Sequence, residues 1–351
     1  MRVLVATDAW HPQVNGVVRT LTSLARSARD LGVDIVFLSP EGFWSVPVPT
    51  YPSLRLALPR PAAVARAIDA VEPDSIHIAT EGSVGLMARA YCLKRGIAFT
   101  TSYTTRFPEY ISARWAVPEA WSYAALRAFH APASVTMVST ASLAAELAQR
   151  GFRNLSRWTR GVDTELFRPE RAIDLGLPRP IFLTAGRIAV EKNLAAFLSL
   201  DLPGSKVVVG AGPQEAELRR DFPDAHFVGL KHGTDLAAFI AAADVFVFPS
   251  RTDTFGVAQL EALACAVPVA AFPVMGPKDV IGDRPVGVLN EDLRAACLQA
   301  LSLSRDACRA FALTCSWESS ARQFIGQLKP TGWARTQRPP AALPVAAAAN
   351  R

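Results

Sequence analysis

VFVFPSRTDTFGVAQLEALACAVPVAAF, residues 245–272, decides the fold. Val245–Phe248 is a short apolar run that reads as a strand, residues 256–266 carry a helical pattern, and Val269–Phe272 reads as a second strand. Strand, helix and strand in so short a span make a βαβ unit, which belongs to a parallel sheet covered by helices. Two carboxylates punctuate it: Asp253 in the loop before the helix and Glu261, eight residues on, within it. One acid then faces the mouth of a cleft and the other its floor. A carboxylate accepts bidentate hydrogen bonds, and Phe255-Gly256 lets backbone N–H groups come close, so the arrangement suits a polyhydroxylated ligand.

The same alternation extends in both directions. Pro180–Ala185, Lys206–Val209 and His226–Val228 precede as strands, with helices expected near 191–200, 213–220 and 234–242. An earlier series comprises the strands Arg2–Thr7, Asp34–Leu38, Ser75–Ala79, Ala98–Thr101 and Ser134–Val138, with helical patterns at Val17–Leu31, Ser83–Lys94 and Ser142–Arg150. The expected architecture is therefore α/β, with two doubly wound Rossmann-like units joined near Arg160–Pro178. The expected domains are 1–165 and 166–316, with a helix at 317–329 packing back on the first. The Pro-, Ala- and Arg-rich tail 330–351 has no periodic core face and is expected to be disordered. Ligands of such sheets bind beyond the carboxyl ends of the strands, here in a cleft between two facing units.

A chain of 351 residues that is 50% apolar exceeds one ordinary core. Its mean hydropathy is slightly positive, yet no apolar run reaches the ~18 residues that span a bilayer. MRVLVAT at the start reads as a buried strand and not as a signal peptide. Five cysteines with no C-x-x-C pairing indicate neither a disulfide framework nor structural zinc, so a cytoplasmic chain is expected. Residues 1–160 hold 17 Lys and Arg against 11 Asp and Glu, which places the entire +6 excess in the N-terminal half. Such charge suits an anionic membrane or a phosphorylated substrate, or is ordinary solubilising charge. Nucleic acid is not the expected partner, because lysine is almost absent from that half and no binding motif occurs.

Three further segments sit at expected strand ends. DAWHPQVNGVV (8–18) enters a helix through Gly16, where free N–H groups favour anions; a plain turn glycine is the simpler alternative. AGRIAVEKN (185–193) places Arg187 after a strand and Lys192 in the first turn of the next helix, so both can converge on a diphosphate, unless Glu191 pairs with one of them. VGAGP (209–213), with Gly210 and Gly212, lacks the third glycine of a dinucleotide fingerprint and reads as a tight turn beside a nucleotide.

In order and spacing, NGVVRT (15–20), RGVDTELFRP (160–169), GRIAVEKN, VVGAGP, the acid pair and GPKDVI (276–281) together resemble the retaining family 4 glycosyltransferases of GT-B fold. Within that family the chain looks similar to bacterial glycosyl-diacylglycerol and sulfolipid synthases and to GDP-mannose-dependent α-mannosyltransferases. The resemblance implies that Arg187 and Lys192 bind the donor diphosphate and that Asp253 holds sugar hydroxyls, these three forming the catalytic set. Glu261 then holds the ribose, with Gly16, Gly210, Gly212, Thr254, Phe255 and Gly256 completing the donor site. Two departures stand out. Asp253 replaces the commoner Glu, and Thr104 in TSYTTRF (101–107) stands where many relatives carry a histidine. His11, Thr104, Thr105 and Arg106 are the acceptor-side candidates.

The chain has no D-x-D pair, which favours a metal-free route with no cofactor and a nucleotide-sugar as substrate. Residues 106–129 mix Phe107, Tyr110, Trp115, Trp121, Tyr123 and Phe129 with Arg106, Arg114 and Arg127, as a membrane interface would; packing into the first core is the alternative. With the basic half, this favours a lipid acceptor, diacylglycerol, reached from the inner face of the cytoplasmic membrane. A saccharide acceptor with GDP-mannose as donor and a non-catalytic nucleotide-sugar-binding module are the competing readings.

Overall fold

A computed structural model of the chain describes residues 1–11, 16–48, 51–114 and 117–333. It comprises two compact units, Met1–Thr159 with the chain from Ser320 onward, and Arg160–Ser319.

In the first unit, β1 (Arg2–Ala6), β2 (Asp34–Leu38), β5 (Ser75–Ile78), β6 (Thr100–Tyr103), β7 (Val135–Val138) and β8 (Leu155–Arg157) form a parallel sheet in the order β2-β1-β5-β6-β7-β8. Strand β3 (Ser45–Val48) and strand β4 (Tyr51–Ala57) form a separate antiparallel hairpin. The RVLVA sequence of β1 is apolar at every second position on both faces because both faces are covered. Val3 and Val5 enter a core with Leu21, Leu24, Trp158 and Phe324, whereas Leu4 and Ala6 enter another with Val64, Ile68 and Ile76. Phe324 lies on the helix Trp317–Gln327, whose residues from Ser320 belong to this unit; Trp158 Nε1 donates to Ser320 Oγ at 3.1 Å.

In the second unit, β9 (Ile181–Ala185), β10 (Ser205–Val209), β11 (His226–Phe227), β12 (Val245–Phe248), β13 (Val269–Ala271) and β14 (Gly287–Leu289) form a parallel sheet in the order β11-β10-β9-β12-β13-β14. Alternate residues again divide between two cores. Leu183, Val207, Phe246 and Val269 enter one, and Phe182, Val208, Val245 and Ala270 the other. Counted along the chain, this order is 3-2-1-4-5-6, the dinucleotide-type winding; that of the first unit is 2-1-3-4-5-6.

Several sequence expectations need correction. The helix expected at 191–200 is a 3₁₀ turn, Val190–Lys192, followed by a separate helix Leu194–Leu198. Asn193 at φ +53° breaks the run. Lys192 therefore precedes the helix and does not sit in its first turn. The β3–β4 hairpin went unforeseen because Pro47 and Pro52 lie within its strands, which only a non-central pairing tolerates. The tail does not begin at 330: Pro330 bridges Ser75, Thr331 Oγ1 donates to the Pro73 carbonyl at 2.8 Å, and Trp333 packs on the first core. Residues 334–351 lie outside those described, as do 12–15 of the first loop.

Candidate active site

In a 3-2-1-4-5-6 sheet, the connections on either side of strand one run in opposite directions, and a crevice opens between the loops that follow strands one and four. Here those strands are β9 and β12, paired through Phe182–Val245 and Leu183–Phe246. The loop after β9 carries Arg187 and Lys192, and the loop after β12 carries Asp253. Sequence spacing alone could not show that residues 61 apart meet. Lys192 Nζ donates to Asp253 Oδ1 at 2.7 Å and to Oδ2 at 2.8 Å. The loops are also knitted together by uncharged groups. Ser250 and Thr252 hydroxyls donate to the Glu191 carbonyl at 3.1 and 3.4 Å, and Asn193 Nδ2 donates to the Pro249 carbonyl at 3.1 Å. These backbone ties were invisible in the sequence. Serine, threonine and asparagine in loops are too common to signal them.

Arg187 pairs with Glu191 at 2.5 Å, so the surface ion pair raised as an alternative is present. The arginine is 46% exposed, which leaves such a pair weak.

Gly210 and Gly212 have a packing reason. A Cβ on Gly210, at φ +150°, would lie 1.8 Å from the Gly186 carbonyl oxygen, and one on Gly212 would lie 2.2 Å from that of Ile188. The two glycines let the loop after β10 press against the loop that carries Arg187, and Ile188 N–H donates to the Ala211 carbonyl at 3.0 Å. Gly256 caps the helix Val257–Ala264 at φ +79°; a Cβ there would meet Phe248 Cζ at 2.6 Å and Gln259 Nε2 at 2.5 Å. This glycine shapes the acid loop from beneath. Phe255 packs partly on the core, Thr254 is half-buried beside it, and Gly276 of GPKDVI abuts the Asp253 and Phe255 carbonyls.

Asp253 is 20% exposed at the side chain and Glu261 is 3% exposed, an outer and an inner acid on one loop-helix element. Burial pushes the Cys265 thiol, one turn beyond Glu261, up to about 12, and the Glu261 charge adds to the effect.

The acceptor-side candidates all lie in the first unit. His11 is exposed beside Trp10; Gly16, expected in the donor site, also belongs to this unit and is the exposed first residue of the helix Gly16–Asp30. Thr104 and Thr105 are half-buried. Arg106 is held inside an ion network: its guanidinium donates to Glu109 at 2.8 Å and to both oxygens of Glu146 at 2.9 and 3.1 Å. Tyr123 donates to the same Glu109 oxygen at 2.6 Å. Arg106 is therefore committed to ion pairs within the first unit.

The aromatic segment divides. Tyr123 and Phe129 are buried, Trp121 and Phe107 are exposed, and Trp115 and the side chains of Tyr110 and Arg114 fall outside the description. The buried members follow the core-packing alternative. His77 bonds Thr100 at 2.9 Å and Ser102 at 3.2 Å, and His130 bonds Thr101 at 2.9 Å, each in the interior.

Asp8 has a part the sequence did not reveal. At the end of β1, its carboxylate accepts from Val84 N–H at 2.8 Å, Gly85 N–H at 3.2 Å and Thr80 Oγ1 at 2.9 Å. It thus caps the helix Ser83–Arg95 from 76 residues away, where the local cap position holds Gly82, which has no side chain.

Comparison with known proteins agrees with this geometry. The family model described as Glycosyltransferase Family 4 matches residues 14–166, and the one described as Glycosyl transferases group 1 matches residues 179–306. A GDP-mannose-dependent alpha-mannosyltransferase of Mycolicibacterium smegmatis is 30% identical over 82% of this chain and 84% of its own length. The sulfoquinovosyl transferase of Arabidopsis thaliana is 30% identical over 78% of this chain, which spans only 60% of that protein. Among solved structures, the sucrose-phosphate synthase of Thermosynechococcus elongatus superposes with a TM-score of 0.74 at 19% identity, covering 93% of this chain and 97% of its own. The Anabaena protein HepE, in complex with UDP and glucose, gives 0.70 at 15% identity, covering 93% and 98%. Two Rossmann-like units of parallel sheet give the GT-B fold, and the two family models that match them define a glycosyltransferase. The chain belongs to glycosyltransferase family 4.

Proposed function

We propose that the chain transfers a hexosyl or hexuronosyl group, with retention of anomeric configuration, from a UDP-sugar to a lipid acceptor, diacylglycerol, in membrane glycolipid synthesis. The observation that carries this reading is the Lys192–Asp253 contact at the switch point: a cation suited to a diphosphate and a carboxylate suited to sugar hydroxyls are held within 2.8 Å by loops of neighbouring strands. Arg187 and Lys192 neutralise charge as the nucleoside diphosphate leaves, so their effect falls on the transition state. Asp253 accepts from sugar hydroxyls and Glu261, deeper in, from the ribose. Thr254, Phe255 and Gly256 shape the loop. The departing phosphate takes the acceptor hydroxyl proton on the same face. On this route no metal ion is required, since the two basic side chains supply the charge.

Transfer of a hexosyl-type group is supported by the likeness to a plant sulfoquinovosyl transferase, and the lipid acceptor by charge. The first unit, with the chain from Ser320, holds 21 Lys and Arg against 11 Asp and Glu, while the second holds 16 against 20. Such a basic unit suits the inner face of an anionic membrane. Among the described residues no helix is long and apolar enough to cross one.

GDP-mannose is the second donor reading. It is favoured by three relatives named as GDP-mannose-dependent mannosyltransferases, of which this chain spans 76–84%. Incubation with UDP- and GDP-sugars and a lipid extract, followed by mass spectrometry, separates these readings. A hexosyl- or hexuronosyl-diacylglycerol from a UDP-sugar is expected. A product from GDP-mannose alone replaces the first reading with the second, and nucleotide binding without any product reduces the protein to a binding module.

A further inference from the structure

The β3–β4 hairpin presents an apolar face to solvent. Its register pairs Ser45 with Ala57 and Val46 with Leu56, and Leu58 N–H donates to the Trp44 carbonyl at 2.8 Å. Residues opposite one another share a face, as do residues two apart. Trp44, Val46, Leu56 and Leu58 therefore line one side. The other side is seated: Ala57 is 2% exposed, and its carbonyl accepts from Ser83 Oγ at 2.5 Å. On the open side, Trp44 is 72% exposed, Leu58 45% and Leu56 43%, with Val46 half-buried between them. A polar residue at these alternating positions would leave a hairpin of the same geometry. Large side chains there instead collect apolar area in one place, which a water-facing strand avoids.

Charge selects among occupants. Residues 41–66 hold three arginines and one acid, Glu41; Arg60 and Arg66 are exposed just beyond the hairpin. The whole unit carries an excess of ten positive charges. A second copy of the same unit would bring like charges together, whereas an anionic surface would be attracted. An indole flanked by aliphatic side chains and arginines is the composition that settles at the headgroup boundary of a bilayer.

We propose that the Trp44–Val46–Leu56–Leu58 face docks this unit on an anionic lipid bilayer, with Arg60 and Arg66 on the headgroups. The inference extends the lipid-acceptor reading but stands apart from it, since docking is measured without glycosyl transfer. The purified full chain is sedimented with vesicles of phosphatidylglycerol and phosphatidylcholine, and with phosphatidylcholine alone. The wild-type chain is expected to pellet with the anionic vesicles, less so as salt rises. Trp44→Ala is expected to weaken binding about tenfold, and the Trp44→Ser, Leu56→Ser, Leu58→Ser variant to abolish it. Titration with UDP or GDP shows that the triple variant keeps the nucleotide affinity of the wild type and is folded. Wild-type failure to pellet overturns the proposal, as does full binding by the folded triple variant. So does a wild-type dimer in sedimentation velocity that the triple variant converts to monomer, because the face is then a self-association surface. If vesicles bind but only saccharides are glycosylated, the docking face stands and the lipid acceptor falls. If diacylglycerol is glycosylated in detergent but no vesicle is bound, the outcome is reversed.

Discussion

Replacing Lys192 by alanine separates the contact it makes with Asp253 from the role proposed for it, meeting the leaving diphosphate. The ammonium lies 2.7 and 2.8 Å from the two Asp253 oxygens, with side chains 29% and 20% exposed. At an effective dielectric near 20, the bare attraction at this range is about 6 kcal/mol, an upper bound. Desolvation and solvent screening offset most of it and leave about 1 kcal/mol of stability. Lys192→Ala should thus lower the melting temperature by about 2–4 °C. The effect on turnover is larger, because a charged donor aimed at developing negative charge is worth about 2.7–4 kcal/mol, or a 10²–10³-fold loss of kcat. Asp253→Asn removes the same contact from the other end. If both side chains grip one ligand, the double variant loses less than the product of the singles, with a coupling of about 1–2 kcal/mol. The assay is initial-rate release of nucleoside diphosphate at saturating donor, alongside thermal melting. A folded Lys192→Ala protein with unchanged kcat would refute the role of Lys192, and strict additivity would refute the pair acting as a unit.

Gly210→Ala forces a Cβ to within 1.8 Å of the Gly186 carbonyl oxygen at a positive φ; a loss of about 3 kcal/mol or more is expected, with weakened nucleotide binding, by melting and titration. Asp8→Ala leaves two helix N–H groups uncapped and should cost about 2 kcal/mol; an unshifted melt would refute the cap. Burial pushes Cys92 and Cys297 to about 12 and Cys308 to about 11, from an ordinary 9.0. Since the folded values lie above the unfolded one, this stabilisation is complete below pH 9 and is lost as pH rises from 9 to about 12 for Cys92 and Cys297 and from 9 to about 11 for Cys308, by about 1 kcal/mol per pH unit for each thiol; melting temperature against pH reads it directly. For the same reason, a thiol reagent at pH 8 should react with these three cysteines only after denaturant is added.

Much of the fold was legible because buried parallel strands must be apolar on both faces. The runs at 181–185, 205–209 and 245–248 stand out against Ala- and Leu-rich helices, and the ends of expected strands moved little, β6 starting at Thr100 instead of Ala98; the three-residue edge strands β8 and β14 were too short to stand out. Where apolar periodicity was absent, reading failed. The hairpin at 45–57 is studded with prolines, and Asn193 breaks a helical pattern through backbone conformation, which composition does not encode. The aromatic segment split in a way composition does not show, because Tyr123 and Trp121 look alike in sequence, yet one is 4% and the other 72% exposed.

The sequence by itself determined the parallel architecture, the ordering of motifs and the family, since these depend on residue type and spacing along one dimension. Tertiary structure alone decided which charges meet. Strand order brings the loops after β9 and β12 together, so Lys192 finds Asp253 across 61 residues while Glu191 takes Arg187. It also decided that Gly210 serves a loop contact and that Asp8 caps a distant helix. Hydrogen bonds and close contacts act over a few ångströms of space, and only the winding of the sheet turns separation along the chain into that distance.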